Sequence, residues 1–258
     1  MLSGKSIAVT GAAQGIGKAT ALVCAKLGAN VAVCDINAPL AHAVSDAINA
    51  SGGRAIAVEM DVTHRSDCHR MVKTTLNTFG RIDGLVCGGM RRAYQPAEDF
   101  SDEAWDMVVG QGLTGYFRCA QESALAMLSQ GSGAIVFITS IASQNAVDGG
   151  AAYCSVKAGV AGLTRQLGVE WARRGVRTNA VAPGFTTTEG ALRQMSTEEA
   201  QALIPMGRPA TADEIGNVCA FLLSDLASHM TGQEIVVDGG YTACKNFTAG
   251  SIRSQSAT

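Results

Sequence analysis

The amino-acid sequence predicts a doubly wound α/β fold: a single domain with a parallel sheet of about seven strands and helices on both faces. Three observations carry this prediction. Short apolar runs rich in β-branched residues alternate with longer stretches of helical period, the pattern of repeated βαβ units. A glycine-rich turn sits between the first apolar run and the first helical stretch. The 258 residues, 47% hydrophobic and 16% charged, are enough for one large core, and no repeat or low-complexity linker divides them.

The first strand is predicted over residues 7–10, Ile-Ala-Val-Thr, and the first helix begins near Ile16. Strands at 31–34 and 55–58 are followed by helices from Leu40 and Ser66. The fourth strand, 84–86, leads to a helix from Asp102, and the fifth, 135–138, to one from Ala151. The sixth, 177–181, precedes a helix from Ala212, and 235–237 is the last strand. Parallel neighbours need crossover connections, and right-handed crossovers place helices on both faces. Two segments break the rhythm. Residues 184–209 follow the sixth strand at its carboxyl side, where open α/β sheets bind ligands, and are predicted to form a substrate lid. Residues 244–258, rich in Ser, Thr and Gly, form a tail beyond a catalytic domain of 1–243, either disordered or packed at a subunit interface.

Composition narrows the function. The formal net charge is −2 with no long block of basic residues, so a nucleic-acid surface has no electrostatic support. No apolar run approaches the roughly 18 residues of a membrane span, which points to a soluble, cytoplasmic protein acting on a small molecule. The eight cysteines are scattered without a C-x-x-C pair, and the four histidines are equally dispersed. The thiols are therefore read as free and buried, and no metal is expected.

Tyr153 and Lys157, four residues apart in a helical stretch, share one face. The ammonium would favour the ionised phenol and make the tyrosine an acid/base. Lowering a phenol from ~10 to near neutrality takes ~4 kcal/mol, more than one lysine near water supplies, so a second cation is required. By itself the pair also suits an ordinary helix face. Ser140 lies upstream, just after the fifth strand.

The other end of the chain carries a dinucleotide signature. In Thr10-Gly11-Ala12-Ala13-Gln14-Gly15-Ile16-Gly17, Gly11 permits a sharp turn, Gly15 a close approach to pyrophosphate, and Gly17 close helix packing. Asp35 ends the second strand, placed to accept from ribose hydroxyls and to repel a 2′-phosphate; a turn or helix cap is the other reading. Ile36 and Asn37 follow it and Gln14 is neutral, so NAD is favoured over NADP. Asp61, followed by Val62, suits either the adenine amino group or a turn.

The glycine loop, Asp35, Asp61, Ser140, Tyr153, Lys157, Asn179, Pro183-Gly184 and Asp238-Gly239-Gly240 together resemble the short-chain dehydrogenase/reductase family of the classical type, over residues 5–243. The resemblance implies a Rossmann-type domain, usually a homotetramer. It makes Tyr153 the acid/base, Lys157 the ligand of the nicotinamide ribose that lowers the tyrosine pKa, and Ser140 the residue orienting the substrate oxygen. Oxidised nicotinamide is then the second cation. Pro183, Gly184, Thr186 and Thr188 match the segment binding the carboxamide and phosphates. Gly11, Gln14, Gly15, Ile16, Gly17, Asp35, Asp61 and Val62 complete the cofactor set, with Cys87, Gly88 and Gly89.

Two departures stand out. Cys87-Gly88-Gly89-Met90 replaces the family's Asn-Asn-Ala-Gly, which implies weaker or displaced cofactor binding. Gly112 falls where the family carries the asparagine that holds a relay water, which implies slower proton exchange. Arg91 and Arg92 form a basic pair read as recognising an anionic substrate group, or as a solvated loop or subunit contact with Glu98, Asp99 or Asp102. Gln144 is polar where an apolar pocket would be greasy. The expected function is an NAD-dependent oxidoreductase acting on a secondary alcohol or ketone, such as a sugar, polyol or hydroxy acid. The alternative is a cofactor-binding protein of the same fold with weak or no catalysis.

Overall fold

Strand pairing in the computed structural model, which describes residues 1–189 and 195–244, follows the predicted βαβ order. The strands β1 (Ser6–Thr10), β2 (Asn30–Asp35), β3 (Arg54–Glu59), β4 (Gly84–Cys87), β5 (Gly133–Ile138), β6 (Val176–Pro183) and β7 (Glu234–Val237) are all parallel. Their order is 3-2-1-4-5-6-7. The winding direction reverses between β1 and β4, which opens a crevice at their carboxyl ends.

Alternation along each strand builds two cores. Ala8, Cys34, Leu85, Cys87, Ile135 and Phe137 face one side, packed by α3 (Arg65–Phe79), α4 (Asp102–Val109), α5 (Tyr116–Gln130) and α6 (Ala151–Ala172). Ile7, Val9, Val31, Val33, Val86 and Val136 face the other, packed by α1 (Gly15–Lys26), α2 (Ala38–Ala50) and α8 (Ala212–Leu223). Strands buried on both faces explain why the runs read as continuously apolar.

Two elements differ from expectation. The single helix predicted from Asp102 is continuous but changes pitch: a π-helical turn, Gly110–Gly115, joins α4 to α5. The segment read only as a lid contains α7 (Thr197–Leu203), which a capping box between Ser196 and Glu199 starts. The two-residue strands Thr186–Thr187 and Ala210–Thr211 pair across the base of that segment. Residues 190–194 of the predicted lid and 245–258 of the predicted tail lie outside the described residues. Among the described residues no helix is long and apolar enough to cross a membrane, and no group of His, Cys, Asp and Glu is arranged to hold a metal. The cysteines are free thiols, six of them buried.

Candidate active site

The ends of β1 and β4 are clipped together at the crevice. Thr10 Oγ1 donates to the Gly88 carbonyl at 3.1 Å and accepts from Gly88 N–H at 3.2 Å. This brings Gly11 against Gly89, both at positive φ, so closely that a Cβ on Gly11 would lie 2.5 Å from Gly89 Cα. A Cβ on Gly17 would lie 2.1 Å from the Gly11 carbonyl oxygen, so only glycine lets α1 start here.

The first turn of α1 has neither a side-chain cap nor an acidic residue, leaving its N–H groups for an anion. Thr188 Cβ lies 3.6 Å from where a Gly15 Cβ would stand, so the segment after β6 meets the loop after β1. A cavity of about 270 Å³ separates α1 from that segment. Pro183 ends β6, Gly184 N–H donates to the Val237 carbonyl at 2.9 Å, and Thr186 Oγ1 donates to the Gly184 carbonyl at 3.1 Å.

Asp35 accepts from Ala13 N–H at 3.0 Å and from Asn37 N–H at 2.9 Å, tying β2 to the glycine loop. Asp61 accepts from Thr63 N–H at 2.8 Å and from its hydroxyl at 2.7 Å, the geometry of a turn. Val62 packs beside Gly115. The glycine cradle, the uncapped helix start and the strand-end carboxylate fit a dinucleotide. Gly11, Gln14, Gly15, Ile16 and Gly17 would hold its phosphates and Asp35 its adenosine ribose.

Tyr153 and Lys157 sit one turn apart on α6 with their side chains turned inward, 8% and 3% exposed. Lys157 Nζ donates to the Ile138 carbonyl at 2.7 Å and lies 5.7 Å from the Tyr153 ring centre and 5.4 Å from that of Tyr116. Burial, then repulsion from Arg92, lowers the lysine to about 7, with Glu234 opposing. Tyr153 is raised above the ordinary phenol value because burial outweighs the Ser140 hydroxyl and the Arg92 charge, both of which favour phenolate. Ser140 ends the strand region as the cap of a short helical turn, its Oγ accepting from Ala142 N–H at 3.1 Å.

Around this cluster stand residues that sequence reasoning missed. The Tyr94 ring lies 6.1 Å from that of Tyr153, and the Tyr116 ring stacks at 6.0 Å on Phe137 beneath Lys157. Neither belongs to a spacing motif, so no local signal marked them. A Cβ on Gly112 would lie 2.8 Å from Met90 Sδ and 2.6 Å from Val156 Cγ1, so Met90 fills the space a side chain at 112 would take. The neighbouring Gln111 is committed elsewhere, its Oε1 accepting from Arg91 N–H at 2.9 Å.

The basic pair divides. The Arg92 guanidinium lies over the Tyr153 ring at 5.6 Å, whereas Arg91 makes no ring contact among the described residues. Among the described residues neither pairs with Glu98, Asp99 or Asp102. Gln144 Nε2 donates to Glu234 at 2.9 Å, and Ser143 Oγ shares the same carboxylate oxygen at 3.0 Å.

Comparison with known proteins agrees with this geometry. The family model described as Enoyl-(Acyl carrier protein) reductase matches residues 11–242. A D-threitol dehydrogenase from Mycolicibacterium smegmatis is 38% identical, covering 93% of this chain and 94% of the relative. A 3-oxoacyl-[acyl-carrier-protein] reductase from Synechocystis is 40% identical over 90% of this chain and 94% of its own. The crystal structure of a short-chain type dehydrogenase/reductase from Mycobacterium marinum superposes with a TM-score of 0.89 at 35% identity, covering 94% of this chain and 97% of that one. A cradle for a dinucleotide, a buried tyrosine and lysine beside it, and likeness along nearly the whole chain lead to one conclusion: the protein belongs to the short-chain dehydrogenase/reductase family, oxidoreductases that act on alcohol and ketone groups with NAD(P).

Proposed function

We propose that the protein is an NAD-dependent oxidoreductase interconverting a secondary alcohol and its ketone, with a small polar substrate. The observation that carries this reading is the convergence of the Ser140 hydroxyl, the Tyr153 ring and the Lys157 ammonium, with Lys157 held by the Ile138 carbonyl and Ile138 beside Gly88. Bound NAD supplies the hydride acceptor, chemistry that belongs to the cofactor.

The chain's own groups handle the proton and the charge. Tyr153 Oη takes the proton of the alcohol, and Ser140 Oγ holds the oxygen as its charge changes. Lys157, held by the Ile138 carbonyl, would bind the nicotinamide ribose, and in its protonated form its charge would lower the cost of the phenolate. Preference for NAD rests on Asp35 and on the apolar Ile36 after it, which leave a 2′-phosphate with a like charge and no cation. The guanidinium of Arg92 over the Tyr153 ring supports a polar substrate over a long acyl chain.

The test is formation of NADH from NAD, or of NADPH from NADP, over a panel of polyols, sugars and hydroxy acids. Tyr153→Phe is expected to lower kcat by about 10²- to 10⁴-fold. Saturable NAD binding without turnover of any panel member would instead favour the cofactor-binding reading.

A further inference from the structure

Arg92 is an exposed cation at the entrance to a buried reaction centre. Its guanidinium stands 5.6 Å from the Tyr153 ring centre, and the Tyr94 ring flanks the same tyrosine at 6.1 Å. Among the described residues it has no carboxylate within ion-pair distance and no hydrogen-bond acceptor. The acidic residue that acts on the lysine end of the cluster, Glu234, accepts from Ser143 and Gln144 through one carboxylate oxygen. Its charge acts on Lys157, whereas Arg92, on the Tyr153 side, is left without an acidic partner among the described residues.

Guanidinium pairs with a carboxylate through two parallel N–H···O bonds, and one free guanidinium matches one singly charged planar acid group. Tyr153 fixes the reacting oxygen, and Arg92 overlies the ring of that same residue. The acid group therefore lies within a few bonds of the reacting carbon. Resting on the oxidoreductase reading above, we infer that Arg92 is an anion-binding residue of the substrate site. The substrate class is then a short hydroxy acid and its keto acid. The backbone of Arg91 is held by Gln111, and the side chain of Arg91 makes no contact with the tyrosine, so selectivity belongs to one arginine of the pair.

Calorimetric titration of the NAD-loaded protein with butyrate and with butyramide, equal in shape and different in charge, tests this directly. Butyrate is expected to bind at least tenfold more tightly. Arg92→Met brings the ratio close to one, Arg92→Lys keeps part of it, and Arg91→Met keeps nearly all. A ratio near one in the parent protein, a ratio that survives Arg92→Met, or one lost with Arg91→Met overturns the assignment. Hydride transfer is read separately, as NADH formed from 3-hydroxybutyrate and from 3-hydroxybutyramide. Its failure with both while the binding ratio stands would sink the oxidoreductase reading and leave the anion site intact.

Discussion

Met90 and Gly112 occupy one space between them. The sequence presents them as two separate departures from the family pattern, but the thioether fills the room that a side chain at 112 would need. Gly112→Asn alone is therefore expected to overpack the contact with Met90 and Val156, costing about 1–3 kcal/mol in urea unfolding and slowing turnover. Combining it with Met90→Ala should recover more than half of that stability; no recovery would mean that Met90 is not the obstacle. A slow Gly112→Asn variant thus says nothing about a proton relay until the double variant has been measured. Lys157 gives a second expectation. Unfolded, it keeps its proton to ~10.4, whereas folded it titrates at about 7. Between pH 7 and 8.5 the unfolded state binds more protons, so stability rises with pH. Buried thiols, raised by desolvation, reverse the slope above that window. Melting of the cofactor-free protein should show the rise, and Lys157→Met should flatten it. At this scale the shared face of Tyr153 and Lys157 was legible because their spacing is one helical turn, and Ser140 entered only through the family resemblance, whereas the partners Met90, Tyr94 and Tyr116 come from other elements.

The π-helical turn between α4 and α5 was hidden by its own regularity. Its periodicity reads as one helix from Asp102, and the glycines at 110, 112 and 115 look merely like weak helix formers. Their reason lies in the neighbours: a Cβ on Gly115 would stand 2.8 Å from Val62 Cγ2, and Gly112 faces α6. Gly115→Ala should therefore push the start of α5 away from Val62 and cost about 1–3 kcal/mol, measured by urea unfolding. An unchanged midpoint would mean that the turn yields freely. The short helix α7 was missed for a different reason. Its Ser196 and Glu199 are a capping signature in plain sight, but seven residues carry too little periodicity to read as a helix. Strands were the most legible elements, since burial on both faces demands continuous apolar runs.

Across the whole molecule, Arg177 joins three elements at the last part of the sheet. Arg177 on β6 donates to the carbonyls of Leu222, Ser224 and Met230, at 2.9, 3.1 and 3.3 Å, linking the sheet to the end of α8 and the turn before β7. Arg177→Met leaves those carbonyls without their cation and is expected to cost about 2–3 kcal/mol. The melting temperature should then fall by roughly 5–10 °C, read by differential scanning calorimetry. A fall of less than a degree would show that water replaces the arginine fully. By itself the sequence determined the parallel α/β sheet, the glycine cradle and the Tyr-x-x-x-Lys pair, because each is carried by a pattern that can be read along the chain: alternating strand and helix runs, a glycine-rich turn, and a pair one helical turn apart. Only the tertiary structure decided that Arg92 rather than Arg91 meets Tyr153, that Met90 fills the space at Gly112, and that Gln144 answers to Glu234. Those contacts join elements far apart in the chain, and they follow from how rigid helices and strands meet, which no local spacing encodes.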